Sequence, residues 1–144
     1  IDADDQISRI EYDANGLVTR VVPPGGAYST FEYDAGQRLT KIADAAGNSL
    51  TFTLDAAGER LKEDTRDASG TLLRTLSRTY DTLGRLHAQA DAQHRATTFG
   101  YDTDDNLQLT TDALGRKTAN TYDPLGRLKT TLQDVDGIAA QTQW

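Results

Sequence analysis

Apolar and polar side chains alternate in short runs along this chain. Leu50, Phe52 and Leu54 fall on one face of an extended segment and Ser49, Thr51 and Thr53 on the other, while Leu107 and Leu109 alternate with Asn106, Gln108 and Thr110. A period of two marks a half-buried β-strand, because successive side chains of a strand point to opposite faces. Runs such as Arg85 to Ala90 and Arg95 to Tyr101 have the usual length of a strand. The intervals between turn signals leave no room for a helix.

Those signals are regular. Asp-x-x-Gly occurs at Asp13 to Gly16, Asp44 to Gly47, Asp55 to Gly58, Asp67 to Gly70, Asp81 to Gly84, Asp112 to Gly115, Asp123 to Gly126 and Asp134 to Gly137. An aspartate at the first position of a tight turn bonds its own backbone two residues on, and glycine at the fourth accepts the positive φ needed to re-enter a strand. Pro23-Pro24-Gly25-Gly26 occupies the place of one such turn. The glycine is missing at Gln37 and Asp105. Aspartate tolerates the left-handed region, and Gly36 offers the first of these turns a way to shift by one residue.

Turns and strands together form a repeat of about 21 residues anchored on Tyr-Asp. The anchors are Tyr12-Asp13, Tyr33-Asp34, Leu54-Asp55, Tyr80-Asp81, Tyr101-Asp102 and Tyr122-Asp123, with Trp144 at the next expected place; the spacings are 21, 21, 26, 21, 21 and 22. Two turns per repeat leave two strands. The pattern therefore predicts an all-β array of β-hairpins, a dozen or more antiparallel strands in one continuous twisted sheet. The anchor aromatics are expected to pack Tyr on Tyr from unit to unit. The array opens inside a repeat at Ile1 and stops at an anchor position, without capping units, so residues 1–144 are expected to be about seven units of a longer protein.

Composition narrows the function. Hydrophobic residues make up 37% of the chain, below the roughly 45–50% of globular domains, which predicts a thin core. The net charge of −7 and dispersed Lys and Arg argue against nucleic acid. No apolar run approaches the roughly 20 residues of a membrane span, and no signal peptide is visible. The absence of cysteine excludes disulfides and Cys-ligated metals.

Candidate chemical sites are few. Asp102, Asp104 and Asn106 match the first ligand positions of a calcium loop, but Leu107 stands where that loop requires Gly and Ala113 where it requires a bidentate Glu. His87 and His94 lie seven residues apart without a third ligand. The repeated aspartates read as turn formers, and there is no Ser-His-Asp set or phosphate-cradling Gly loop. No catalytic, metal-binding or cofactor-binding residue is assigned, and no cofactor is expected.

The segments Tyr80-Asp81-Thr82-Leu83-Gly84-Arg85-Leu86 and Tyr122-Asp123-Pro124-Leu125-Gly126-Arg127-Leu128, with the linked Asp112-Ala113-Leu114-Gly115-Arg116, resemble the YD repeat of the rearrangement-hotspot (Rhs) family. Similar repeats occur in the shell components of bacterial Tc toxins, in wall-associated proteins and in teneurins. The resemblance implies a sheet that spirals into a hollow cocoon, which in bacterial members encloses a C-terminal toxin. Bacterial relatives also carry an aspartyl self-cleavage centre near Asp-Pro-x-Gly-Leu, which Asp123-Pro124-Leu125-Gly126 is similar to; Arg127 and Leu128 place it in the ordinary repeat.

The leading expectation is thus a structural, non-enzymatic wall segment. Its partners would be the rest of its own shell and an enclosed toxin polypeptide, with a secretion spike or delivery complex, and its place secreted, delivered by a bacterial secretion system, or at the cell surface. The alternative is a surface module whose Tyr and Trp faces bind carbohydrate or protein. A carboxylate hydrolase is the third and weakest reading.

Overall fold

The structure is a computed structural model that describes residues 7–135 and 138–143. Two compact units divide the chain, Ile1–Leu76 and Ser77–Trp144. The first contains β1 (Arg9–Tyr12), β2 (Val18–Val22), β3 (Ser29–Tyr33), β4 (Leu39–Asp44), β5 (Ser49–Leu54) and β6 (Arg60–Arg66). Strand β7 (Leu72–Tyr80) passes from the first unit into the second. The second holds β8 (Leu86–Asp91), β9 (Ala96–Tyr101), β10 (Leu107–Thr111), β11 (Lys117–Tyr122), β12 (Leu128–Val135) and β13 (Ile138–Gln143). Within each unit the strands lie in chain order, and β1 to β6 and β8 to β13 pair antiparallel with their chain neighbours, a meander without crossovers. The all-β architecture read from the alternation is therefore the one observed, and the 26-residue repeat is absorbed by β6 and β7, seven and nine residues long.

The meander is made by one turn used repeatedly. The N–H of the fourth residue donates to the carbonyl of the first, as from Gly16 to Asp13 at 3.1 Å and from Gly126 to Asp123 at 2.9 Å. At the aspartate turns, the N–H of the first residue donates to the carbonyl of the fifth, as from Asp81 to Arg85 at 2.9 Å. With positive φ at the fourth residue, this is a type I turn closed by a left-handed bulge residue, a connection whose twist suits a hairpin. Gly115 and Gly126 hold φ values of 80° and 74° there. Gln37, His94 and Asp105 adopt 63°, 60° and 65° at the same position, so Gly36 does not displace its turn. His94 lies inside a turn begun by Asp91, one the Asp-x-x-Gly pattern does not reveal. The Asp134 to Gly137 turn falls partly outside the described residues, as does Trp144; Asp134 itself lies within β12, opposite Ala139.

The two ends of the strands differ. At the Tyr-Asp end the register slips by one residue, as between Glu11↔Arg20 and Tyr12↔Val18, or Thr121↔Thr130 and Tyr122↔Leu128. The supernumerary residue is Thr19, Thr40, Leu61, Gln108 or Lys129, seven positions after its anchor each time. At the opposite end β4 and β5, like β8 and β9, pair without a slip. A bulge changes the phase of the pleat. Here it sets an aliphatic residue opposite the anchor tyrosine, as in Tyr33↔Leu39 and Tyr101↔Leu107.

Apolar burial is slight. Among the described residues Phe52 is the buried apolar side chain, 7% exposed, with the Arg60 guanidinium 3.8 Å from its ring centre. On the other face Asp64 and Thr75 are both 8% exposed. The Thr75 hydroxyl donates to Asp64 Oδ1 at 2.7 Å and Lys62 Nζ lies 2.8 Å from Oδ2, so this carboxylate is paired, as burial requires. Alternation places Asp64 on the polar face but gives no sign that this part of the face is covered.

The turn geometry predicts two opposite mutational effects. A Cβ placed on Gly115 would meet nothing within 4 Å, and one on Gly126 only Asn106 Oδ1 at 3.7 Å, so a side chain there is opposed by φ rather than by crowding. Gly126→Val is expected to destabilise by about 1–2 kcal/mol, and His94→Gly, which relieves a left-handed side chain, to stabilise by up to about 1 kcal/mol. Denaturant unfolding of both variants checks this; equal shifts in one direction would contradict the turn assignment.

Candidate functional site along the Tyr-Asp end of the strands

The anchor residues lie at equivalent places. Tyr12, Tyr33, Leu54, Tyr80, Tyr101 and Tyr122 are the last residues of β1, β3, β5, β7, β9 and β11. Asp13, Asp34, Asp55, Asp81, Asp102 and Asp123 open the turns that follow, and Gly16, Gly58, Gly84 and Gly126 take the left-handed position. Leu86 and Leu128 begin the returning strands. Within each unit the repeat thus arrays equivalent groups along one end of the strands, and among the described residues it gathers no single cluster of them.

Each turn aspartate acts as a backbone cap. Oδ1 of Asp81 accepts the N–H of Leu83 at 2.9 Å and of Arg85 at 3.0 Å, and Oδ1 of Asp123 does the same for Leu125 and Arg127. Where arginine stands four residues on, its Nε and Nη2 grip Oδ2. Arg38 on Asp34 has both distances at 2.8 Å, and Arg127 on Asp123 has both at 2.7 Å. Arg95 on Asp91 and Arg116 on Asp112 repeat the arrangement at the opposite end of the strands. Bidentate pairing fixes the guanidinium plane as well as the charge.

These contacts hold the carboxyls of Asp34, Asp44, Asp55, Asp67, Asp81, Asp91, Asp102, Asp112 and Asp123 below the usual aspartate range. For Asp34, Asp91, Asp112 and Asp123 the main cause is the side chain of the arginine four residues on. For Asp44 and Asp102 it is the amide of Asn48 and Asn106. Burial pushes the Asp81 carboxyl up, but the Arg85 N–H and guanidinium together outweigh it.

The tyrosines carry the link between hairpins. Tyr33 Oη donates to the carbonyl of Val18 at 2.9 Å, Tyr101 to Leu86 at 3.0 Å and Tyr122 to Leu107 at 2.8 Å, fifteen residues back each time. The ladders explain the choice of acceptor. Pairing of β2 with β3 ends at Arg20↔Thr30, that of β8 with β9 at Ala88↔Thr98, and that of β10 with β11 at Leu109↔Ala119. The accepting carbonyl lies two residues beyond, where no ladder N–H reaches it. At these three positions a hydroxyl-to-carbonyl bond joins the anchor tyrosine to the neighbouring unit. Leu54 has no hydroxyl to give.

Arg38 and Arg85 add a second link. Arg38 Nη1 donates to the carbonyls of Asp55 and Ala56 at 2.9 and 3.4 Å. Arg85 Nη1 pairs with Asp105 Oδ1, and its guanidinium lies 4.6 Å from the centre of the Tyr101 ring. The forward reach of these arginines was not apparent in the sequence, although an arginine at a constant offset from the turn aspartate was visible there. Between neighbouring turns lie open hollows, one lined by Asp13, Leu17, Tyr33 and Asp34 and another by Arg85, Tyr101, Asp102 and Asp105.

The residues weighed for metal binding are otherwise engaged or dispersed. The Asp102 carboxylate accepts the N–H groups of Asp104 and Asn106, and the Asn106 amide donates to Oδ2 at 3.0 Å. His87 is exposed in β8 and His94 exposed in its turn. Among the described residues no group of three or more His, Cys, Asp or Glu side chains is placed to hold a metal ion, and no helix is long and apolar enough to cross a membrane. Asp123 caps the turn it begins.

The caps make stability depend on pH, and the tyrosines make it depend on single hydroxyls. Because the folded carboxyls titrate below the unfolded value of about 3.9, their stabilisation is fully present above roughly pH 4 and is lost as the pH falls through the folded values. Unfolding in denaturant at pH 6 and at pH 3 is expected to show the loss, with NMR titration placing Asp112 and Asp123 below free aspartate. Tyr33→Phe, which strips the Val18 carbonyl of its donor, is expected to cost about 1–1.5 kcal/mol. Tyr122→Phe should cost less, since Asn120 Nδ2 also donates to the Leu107 carbonyl at 3.2 Å.

The description "RHS Repeat" belongs to the family model that matches residues 12–49, 80–117 and 101–139. Among solved structures, the Tc holotoxin pore of Photorhabdus luminescens aligns over 98% of this chain and 10% of that one, with a TM-score of 0.68 and 13% identity. The crystal structure of TcdB2-TccC3 aligns over the same shares with a TM-score of 0.63 and 15% identity. This chain therefore spans about a tenth of the length of the solved chains it matches. No curated protein matches it. With the repeat model matching most of the chain, and with the anchors, turns and strands in the register described above, the chain belongs to the RHS repeat family.

Proposed function

We propose that this chain is a wall segment of a hollow shell that encloses a C-terminal toxin polypeptide until delivery, acting by steric enclosure rather than by catalysis. The observation that carries this reading is where the polar groups of the repeat are spent. The turn carboxylates cap their own backbones, and Tyr33, Tyr101, Tyr122, Arg38 and Arg85 tie one hairpin to its neighbour. Groups used in this way build a continuous surface. The likeness in fold to Tc toxin chains about ten times as long supports a setting in which such a surface is one part of a larger wall. In that setting the partners are the rest of the shell, the enclosed polypeptide and a delivery complex, and the protein is secreted or injected.

A second reading, a protein-binding surface module, is favoured by one feature. Leu83, Leu114 and Leu125 stand at turn apices with 70%, 79% and 78% of their surface exposed, and apolar groups displayed in this way suit a partner.

Limited proteolysis of the full-length protein separates the two. Under enclosure, the C-terminal polypeptide survives added protease for times over which the same polypeptide alone is digested, and imaging shows a hollow particle. A solid particle, or cargo digested as fast as free polypeptide, rejects enclosure and leaves the binding module.

A further inference from the structure

Three of the turns at the Tyr-Asp end carry arginine four residues after their aspartate: Arg38, Arg85 and Arg127. In all three, Nε and Nη2 are bound to the turn's own carboxylate. That leaves Nη1 free to point ahead. Arg38 spends it on the Asp55 and Ala56 carbonyls of the following Tyr-Asp turn, and Arg85 on Asp105, the left-handed residue of its following turn. Arg127 has the same fixed half without the forward half among the described residues. Its side chain is 74% exposed, against 39% for Arg38 and 27% for Arg85. Strand β13 runs beside β12 with Gln143 opposite Thr130, so the chain returns to the Tyr-Asp end next to Arg127.

We propose that Arg127 is the docking contact for the Tyr-Asp turn of a further repeat unit, whose apex carbonyls or left-handed carboxylate its Nη1 binds. The inference rests on the array reading above. It adds a named residue and a chemical rule for the joint. The donor must be a guanidinium, because two of its nitrogens stay on Asp123 while a third reaches across; a lysine ammonium, a point charge on a flexible stem, cannot hold both at once. Asp123 orients the group beforehand, so little freedom remains to be lost when the turn arrives.

The test appends a copy of residues 102–122 after Trp144, so that the anchor is followed by a turn already known to accept such an arginine. Amide hydrogen exchange is then followed in the appended turn. With Arg127 present, those amides are expected to be protected as are those of Asp102 to Asn106. Arg127→Ala and Arg127→Lys should both speed their exchange on the order of tenfold. Arg116→Ala, which removes the same bidentate pair at the opposite end of the strands, should leave them unchanged, and Arg85→Ala should speed exchange at Asp102 to Asn106. Equal protection of the appended turn with and without Arg127 overturns the proposal while sparing the array. An appended turn unprotected in every variant overturns the array reading and the proposal together.

Discussion

Positive φ at the fourth residue of each turn is the constraint on which the rest of this sheet depends. A type I turn alone splays the strands that leave it, and the left-handed residue restores a twist that lets them pair. An ordinary side chain resists that conformation by about 1–2 kcal/mol. The aspartate three residues earlier supplies the counterweight, since its Oδ1 accepts N–H groups on both sides of the left-handed residue, as at Leu83 and Arg85 around Gly84. Capping explains why Gln37, His94 and Asp105 hold the same φ as the glycines. Their turns all begin with aspartate, at Asp34, Asp91 and Asp102. Among the described turns the one at Pro23 lacks the carboxylate, and it uses Pro24, Gly25 and Gly26 to favour the turn by other means.

Closing the turn this way has consequences along the strand. The bulge seven residues after the anchor ends regular pairing near the Tyr-Asp end and leaves a carbonyl beyond the ladder. An unpaired carbonyl is costly wherever water is excluded. The tyrosine that closes the next strand is long enough to reach it, and this gives the tyrosine of the motif a physical role: its hydroxyl completes the backbone bonding. A phenylalanine could not do this. Leu54 supplies neither the hydroxyl nor the ring, and at that position the Arg60 guanidinium lies over Phe52 instead.

Much of this could be read in the sequence, and what escaped did so for identifiable reasons. Strand periodicity, two turns per repeat and the αL positions follow from local chemistry, so Leu50, Phe52 and Leu54 or Asp123 and Gly126 announce them directly. The turn closed by His94 lacks the glycine of the motif but keeps its place seven residues before Tyr101, whereas the unshifted turn at Asp34 was obscured because Gly36 offers a local alternative that the Asp34 carboxylate overrides. The bulges were invisible because a register slip is a relation between two strands. For the same reason the forward reach of Arg38 and Arg85, seventeen and twenty residues along the chain, and the burial of Asp64 against Thr75 could not be deduced from a single run of residues.

The thinness of the core determines how such a chain tolerates change. With Phe52 the buried apolar side chain among the described residues, no central cluster exists whose repacking would spread a substitution through the molecule. Stability is instead a sum of hairpin terms and nearest-neighbour terms, as in other repeat proteins. A hairpin closed at the Tyr-Asp end uses an aspartate, a residue able to turn left-handed, a bulge and a bond to its neighbour; most other positions need only an alternating pattern. A specification this sparse is met by very different sequences, which accounts for a TM-score of 0.68 at 13% identity. It also leaves the side chains at the turn apices largely unconstrained, so that Asn15, Leu83, Asp104 and Leu125 can occupy equivalent places with unrelated chemistry. Sequence differences between repeats should therefore accumulate at the apices and on the exposed strand faces, while the capped turns beneath them keep their geometry.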